Sequence, residues 1–438
     1  VIPRHGPGAV ATKQEPWDKF QWVNVSAKIT SVYPLDEYFY ASLGHICDRY
    51  NSFSELCEED FPARVVLVPK DSRGPRLISC EPVDYQWVQQ GLGRGIVKHV
   101  EQHDLTRYNV FFTDQSPNQR GALLGSIAGR YATLDLSEAS DRVSTGLVRL
   151  LFPDHVYTCL MACRSSSTEL PNGKVIRFEK FAPMGSCLCF PIMALTIWAI
   201  LTAGAPNADT RDSVLVYGDD VIVPTAHAAN AIEQLESFGL KVSHDKSCIS
   251  GLFRESCGTD AFKGVDVTPV RLRTVWSSKP TPESYTSWIA YANSFYDKKY
   301  FHVYDYIVEA LHHVYGAIPA KDMLLNTRHS LAEVSEERRP KRRRSNKDYQ
   351  SLQYWVWDVT APKVNRRLDG WAMLLRYFTE KCSLMTNRER AERLKLNESV
   401  TVRSALDLRE EALLSAPIPQ SVGQYTRRGT SILVKRWR

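Results

Sequence analysis

The sequence predicts an α+β protein, and three observations carry that prediction. The stretch "VLVYGDDVIVP" (214–224) sets two short apolar, β-branched runs around a tight turn, the pattern of a β-hairpin. From Tyr131 to about Arg273, strand-like and helix-like patterns alternate. Beyond them, "TPESYTSWIAYANSFYDKKYFHVYDYIVEALHHVYGAIP" (281–319) keeps helical spacing, with Tyr285, Trp288, Tyr291 and Phe295 recurring as a core stripe.

Bulk properties bound the rest. With 438 residues, the chain is long enough for two or three packed units. A hydrophobic share of 43% and a charged share of 24% are those of an ordinary globular protein. The net charge of +6 leans mildly towards a polyanionic partner. Ten cysteines occur without a CxxC pair or a Cys/His ligand spacing, so reduced, mostly buried thiols are expected rather than a zinc site. The opening "VIPRHGPGAV" has neither an initiator Met nor a signal-like apolar region, so the true N-terminus is expected to lie upstream.

Taken in chain order, residues 1–123 mix loops, turns and short strands. Within them, "VPKDSRGPRLI" (68–78) places Lys70, Arg73 and Arg76 among turn residues between two strand-like runs. Cations on such a loop can neutralise a triphosphate, although an exposed basic loop is the plainer reading. "GLGRGIV" (91–97) lacks the strand-then-helix setting of a dinucleotide fingerprint. "YATLDLSEASDRVS" (131–144) reads as a strand ending at Leu134, then Asp135, then a helix capped by Ser137 that carries Asp141. "PNGK" (171–174) reads as a hairpin turn between "STEL" and "VIRF". Met184, Gly185 and Ser186 form a small-residue hinge before "CLCFPIMALTIWAILTAGA" (187–205). That run has nearly the length of a membrane span, but Pro191, Thr196 and Thr202 interrupt it and no basic cluster flanks it. A helix buried within a domain is expected. "AANAIEQLESFGLKVSHDKS" (228–247) reads as an amphipathic helix, a Gly stop and a short strand ending near Lys246. "RRPKRRRSNK" (338–347) has seven basic residues and no acidic one, an exposed loop that either contacts a polyanion or is merely solvated; helical patterns resume after it.

Two adjacent aspartates at a hairpin tip repel each other and add nothing to a core. Magnesium, a hard cation, binds through a few carboxylates plus substrate phosphates, and two-metal phosphoryl transfer needs carboxylates that bridge a pair of ions. Asp219 and Asp220 supply two such groups, and Asp135 at a neighbouring strand exit supplies a third.

The order of these motifs resembles the palm of RNA-directed RNA polymerases. It is most similar to the replicase catalytic subunits of leviviruses, the single-stranded RNA bacteriophages. The residues that carry the resemblance are "DLSEASD", "MGSCLCF", "YGDD", "LFRESCGTDAFKGVDVTPVRLR" (252–273), "VPKDSRGPRLISCEP" (68–82) and "DQSPNQRG" (114–121), covering about 63 to 273. It implies a right-hand architecture: fingers over 1–123 with an insertion at about 142–183, a palm of antiparallel sheet and helices over 124–275 with the catalytic core at 121–253, and a mostly helical thumb with the C-terminal region over 276–438. It implies metal binding by Asp135, Asp219, Asp220 and the Leu136 carbonyl, to two Mg2+ ions for which Mn2+ can substitute. Asp141 matches a ribose-sensing position, and Lys70 and Arg76 match triphosphate contacts, with Arg73 beside them. Gly185 and Ser186 match the hinge beside the nucleotide. Lys246 matches a lysine that protonates departing pyrophosphate, and Arg254, Glu255 and Ser256 match a strand gripping the growing RNA end. No Asn stands in 187–204, where many such polymerases carry one, so ribose selection is left open.

The expected partners are an RNA template and product, NTPs and, by resemblance, host elongation factors Tu and Ts with a small-subunit ribosomal protein, in bacterial cytoplasm and without a membrane. Two other readings stand beside it: a reverse transcriptase or other palm-type polymerase, and a non-catalytic basic RNA-binding protein.

Overall fold

The computed structural model describes residues 1–6, 8–15, 18–22, 24–49, 56–57, 60–71, 74–323, 329–348, 350–360, 363–367, 370–380, 424–428 and 431–438. Helices and mostly antiparallel sheets mix throughout them, an α+β fold. Two compact units divide the chain: Val1–Thr268 with Arg367–Gln424, and Pro269–Arg366 with Tyr425–Arg438.

In the first unit, a three-stranded antiparallel sheet runs in the order Tyr131–Asp135, Asp220–Pro224, Leu215–Tyr217. Val221, Ile222 and Val223 are all fully buried, so both faces of the central strand are covered. That explains its unbroken apolar run where a half-exposed strand would alternate. Helices Ser116–Ala128, Cys189–Ala203 and Ala228–Ser237 pack against this sheet. The Cys189 helix is the long apolar run of the sequence, and its Ile192, Ala194, Ile197 and Leu201 are buried. Pro191 does not break it, because it falls in the first turn, where a missing N–H costs nothing. Among the described residues, no helix is long and apolar enough to cross a membrane.

A second sheet has four strands in the order Gly74–Cys80, Ala63–Asp71, Ser167–Glu169, Val175–Arg177. Residues 167–177, whose "PNGK" turn carries Gly173 at φ +82°, thus join residues 63–80 in one sheet. Following Gly74–Cys80 in the chain, helix Val83–Val100 buries Tyr85 and Trp87 completely. "GLGRGIV" lies inside this helix and is no phosphate loop. A Cβ at Gly91 would stand 2.6 Å from the Ile2 carbonyl oxygen, and one at Gly93 would stand 2.9 Å from Cys187 Sγ. The glycines serve close packing.

The same region buries carboxyl groups. The Ser26 N–H donates to Asp84 at 3.0 Å, while the Ser165 N–H and hydroxyl donate to Glu81 at 3.2 and 2.7 Å. These bonds favour the charged form, but burial outweighs them and pushes Asp84 up to about 6.

In the second unit, helices Pro282–Asp297 and Phe301–Tyr315 form a core from Tyr285, Ile289, Ala292, Ile307 and Leu311, with Trp288 and Phe295 packed against it. Of the expected helical stripe, Tyr285, Trp288 and Phe295 belong to or border the core, whereas the Tyr291 hydroxyl accepts from the Arg273 and Thr274 N–H groups. The segment that follows departs from expectation. Arg343–Asn346, Ser351–Thr360 and Ile432–Trp437 form an antiparallel sheet where a basic loop and then resumed helices were anticipated. "SLQYWVWDVT" is dense in aromatic and β-branched residues, which pack well on a pleated surface. Arg342 to Arg344 are exposed, as expected of them. Helix Gly370–Glu380 does form further on, as part of the first unit.

Asp84 sets a pH dependence. A carboxyl whose folded pKa is raised contributes stability below its unfolded value, and that contribution is lost as pH rises through the folded value. The stability difference between Asp84→Asn and wild type should therefore move by up to about 3 kcal/mol in the variant's favour between pH 4 and pH 8. Urea denaturation of both proteins across that range checks the sign.

Candidate active site

The hairpin places the acidic pair by register. Tyr217 pairs with Asp220, leaving Gly218 and Asp219 as a two-residue loop. Gly218 has φ +65° and Asp219 does not share the positive sign, the pattern of a II′ turn with Gly first. On the other side Asp135, the last residue of its strand, pairs with Asp220.

The tip opens on a cleft of about 1050 Å³, lined by Asp135, Leu136, Asp219 and Lys246 among others. Burial raises the Asp219 pKa and the charge of Asp135 raises it further, while Lys246 and Arg76 oppose them. Lys246 Nζ lies 3.1 Å from Asp135 Oδ2. Asp220 stands apart from this pair. The Cys257 N–H donates to its carboxylate, and burial, with Asp219 and Glu255 adding repulsion, pushes it up to about 6. It is not among the residues lining the cleft.

Two carboxylates and a backbone carbonyl suit a hard divalent cation. The Ser137 N–H donates to the Lys241 carbonyl and the Ser243 N–H to the Asp135 carbonyl, so the Leu136 carbonyl between them stays outside the ladder. Burial first, and the Asp135 charge after it, disfavour the charged form of Asp219, and a bound cation would favour that form again. Among the described residues, no three His, Cys, Asp or Glu side chains are gathered closely enough to hold an ion alone. Substrate phosphates would complete such a shell.

Around the pair, Arg76 and Asp141 also line the cleft. Asp141 is paired with Lys180 at 2.5 Å, a residue that no sequence motif pointed to. The strand Tyr131–Asp135 runs one residue further than expected, and Ser137 caps no helix. Glu138 holds the N-cap position at φ +53°, the helix Ala139–Arg142 is a single turn, and Ser144 caps the next one by accepting from the Leu147 N–H.

The hinge is fixed from behind. Gly185 has φ +117°, and a Cβ there would collide with the Ser79 carbonyl. The Ser186 hydroxyl donates to Gln89 Oε1 at 3.1 Å and the Cys187 N–H donates to the same atom at 3.2 Å. Gln89 is fully buried, and it too was missed. Arg254 was expected to face RNA, but it is fully buried. Its guanidinium donates to the carbonyls of Tyr131, Ser250, Gly251 and Phe253, which ties the strand Phe253–Ser256 to the aspartate sheet. Lys70 lies in strand Ala63–Asp71. Its side chain, and Arg73 altogether, lie outside the described residues.

With this geometry in view, the family described as "RNA replicase, beta-chain" matches residues 47–281, more than half of the chain. The chain belongs to the RNA replicase beta-chain family. It is 37% identical to the RNA-directed RNA polymerase subunit beta of Qbeta virus (strain MX1), over 48% of this chain and 35% of that one. It is 36% identical to the RNA-directed RNA polymerase beta chain of Escherichia phage MS2, over 48% of this chain and 37% of the other. For the beta chain of Enterobacteria phage fr, the identity is 35%, over 52% and 42%. The chain thus spans about two fifths or less of the length of these curated relatives. Among solved structures, apo telomerase from Candida tropicalis superposes with a TM-score of 0.37 and 11% identity over 54% of this chain and 52% of that one, too loosely to carry an argument. The replicase family match includes Asp135, Asp219, Arg76, Lys180 and the hinge, all of which line the one cleft.

Gly185 allows a direct check of this replicase site's scaffold. A non-glycine residue at φ +117° is strained by roughly 1–3 kcal/mol before the clash with Ser79 is counted. Gly185→Ala should lower stability by at least that much in urea denaturation, with Gly173→Ala, which meets nothing within 4 Å, as the milder control.

Proposed function

We propose that this chain carries the catalytic core of an RNA-directed RNA polymerase that replicates a positive-strand RNA phage genome, joining NTPs to an RNA 3′ end. The observation that supports it most is the meeting of Asp135 and Asp219 on one cleft, beside the Leu136 carbonyl, which stays outside the strand ladder, and the cation of Arg76. Membership of the replicase family points the same way. Two Mg2+ ions, or Mn2+ in their place, would lower the pKa of the 3′ hydroxyl and neutralise charge on the triphosphate.

The chain's own residues take the other parts. Asp135, Asp219 and Leu136 would hold the ions, and Asp220, turned to Cys257, would tune the charge of Asp219 from outside the cleft. Arg76, with Lys70 and Arg73 of the same hairpin, would hold the triphosphate as fixed cations. Asp141, oriented by Lys180, would meet the ribose, and the Gly185–Ser186 hinge would border the nucleotide. Lys246, already against Asp135, would move towards the leaving pyrophosphate and protonate it.

In this reading residues 1–123 with the insertion at about 142–183 are fingers, 124–275 palm and 276–438 thumb with the C-terminal region. The four-stranded sheet shared by residues 63–80 and 167–177 supports counting that insertion with the fingers. The relatives are named as beta chains or subunits, which supports assembly with other subunits; host elongation factors Tu and Ts and a small-subunit ribosomal protein are the candidates, in bacterial cytoplasm.

Asp219→Asn and Asp135→Asn keep size and polarity but remove a charged ligand. Each should fold and lose metal-dependent NTP incorporation by on the order of a hundredfold or more. Near-wild-type incorporation by either variant would refute the metal assignment, and incorporation of dNTPs in preference to NTPs would favour a reverse transcriptase. Lys246→Leu should slow incorporation by roughly a hundredfold with little change in KM, and Lys241→Leu should do far less. Single-turnover primer extension reads both.

A further inference from the structure

We propose that the antiparallel sheet of the second unit is a binding surface for single-stranded RNA, with Arg342, Arg344, Trp355 and Trp437 as its contact residues. The choice of RNA rests on the polymerase reading above; the surface itself rests on the sheet.

Register puts these residues on one face. Arg344 pairs with Gln353, Trp355 with Trp437 and Trp357 with Lys435, and strand alternation keeps Gln353, Trp355, Trp357 and Val359 on the same side. The inner end of that face, from Trp357, Val359 and Leu433, packs on the helical core. The outer end does not belong to the core, and there the Trp355 and Trp437 rings lie edge to face with centroids 5.3 Å apart. The Arg342 guanidinium stands 5.3 Å from the Trp355 centroid and 5.6 Å from that of Trp437, and Arg344 stands 4.6 Å from Trp437.

Lys341, Arg342, Arg343 and Arg344 are all exposed, and among the described residues these charges meet no carboxylate. The buried carboxylate of the sheet, Asp358, is already taken by Arg438 at 2.5 Å and Arg436 at 3.5 Å.

A simpler explanation exists for cations on an edge strand, since they discourage edge-to-edge pairing. Single charges suffice for that, and it needs no tryptophans beneath them. Planar rings and guanidinium groups on one sheet face, with Arg344 oriented by its Nε–H donating to Gln353 Oε1 at 3.0 Å, are instead the set that single strands require: rings for base stacking and arginines for phosphates. An anionic lipid surface would use the cations but has no use for paired rings set edge to face within a sheet.

The test is binding of labelled single-stranded RNA oligonucleotides of several sequences to the full chain, followed by fluorescence anisotropy against salt. Arg342→Gln with Arg344→Gln, both at exposed positions, should weaken binding similarly for every sequence and flatten the salt slope by roughly 1.4, at about 0.7 per phosphate contact on a single strand. Trp437→Leu, with its melting curve checked, should lower affinity roughly tenfold while leaving the slope unchanged. Superimposable salt lines for wild type and the arginine pair would overturn the proposal, as would binding to phosphatidylserine vesicles with none to RNA. A chain that shows the predicted slope change but incorporates no NTP leaves the sheet standing and sinks the polymerase reading instead.

Discussion

The register of one antiparallel strand pair governs the candidate site. Asp135 lies opposite Asp220, and the II′ turn then holds Asp219 one residue out from the ladder. Because side chains alternate along a strand, a one-residue slip would turn the acidic groups to the other face and bury them in the sheet's apolar cover. The cost of carrying those charges into the apolar cover around Val221, Ile222 and Val223 is what opposes such a slip. The outcome is two carboxylates in one cleft, with Asp219 pushed up by burial and by its neighbour.

Supports for this geometry come from far along the chain. Gln89, on helix Val83–Val100, receives hydrogen bonds from Ser186 and Cys187 and itself donates to the Cys163 carbonyl at 2.6 Å. One buried amide thus joins the hinge to the segment before the "PNGK" hairpin. Arg254 does the same for the sheet, spending its guanidinium on backbone carbonyls. Both are polar groups whose burial is tolerable only because partners are in place.

Much of this was legible in the sequence, and the remainder was hidden for physical reasons. Asp135 and the hairpin aspartates announce themselves locally, as charges at the ends of apolar strand runs. The Cys189 helix was equally readable from its continuous apolarity and flanks. Lys180 was not, because its meaning lies in a contact with Asp141, 39 residues earlier, that only the folded chain makes. Ser137 was assigned a cap that the positive φ at Glu138 precludes, a backbone detail with no sequence signature beyond the residue itself. The sheet of the second unit was missed because its strand at 432–437 joins 351–360 by pairing across some 70 residues, while 343–346 lies inside a run whose charge masked it.

The central claim is that Asp135 and Asp219 together hold divalent metal ions. Electron paramagnetic resonance titration of Mn2+ into the full chain, with a non-hydrolysable NTP analogue and an RNA primer–template present, counts those ions directly. The account predicts two tightly held ions per chain in the wild type, and fewer with weaker binding in Asp219→Asn. The same stoichiometry and affinity in both proteins would contradict it.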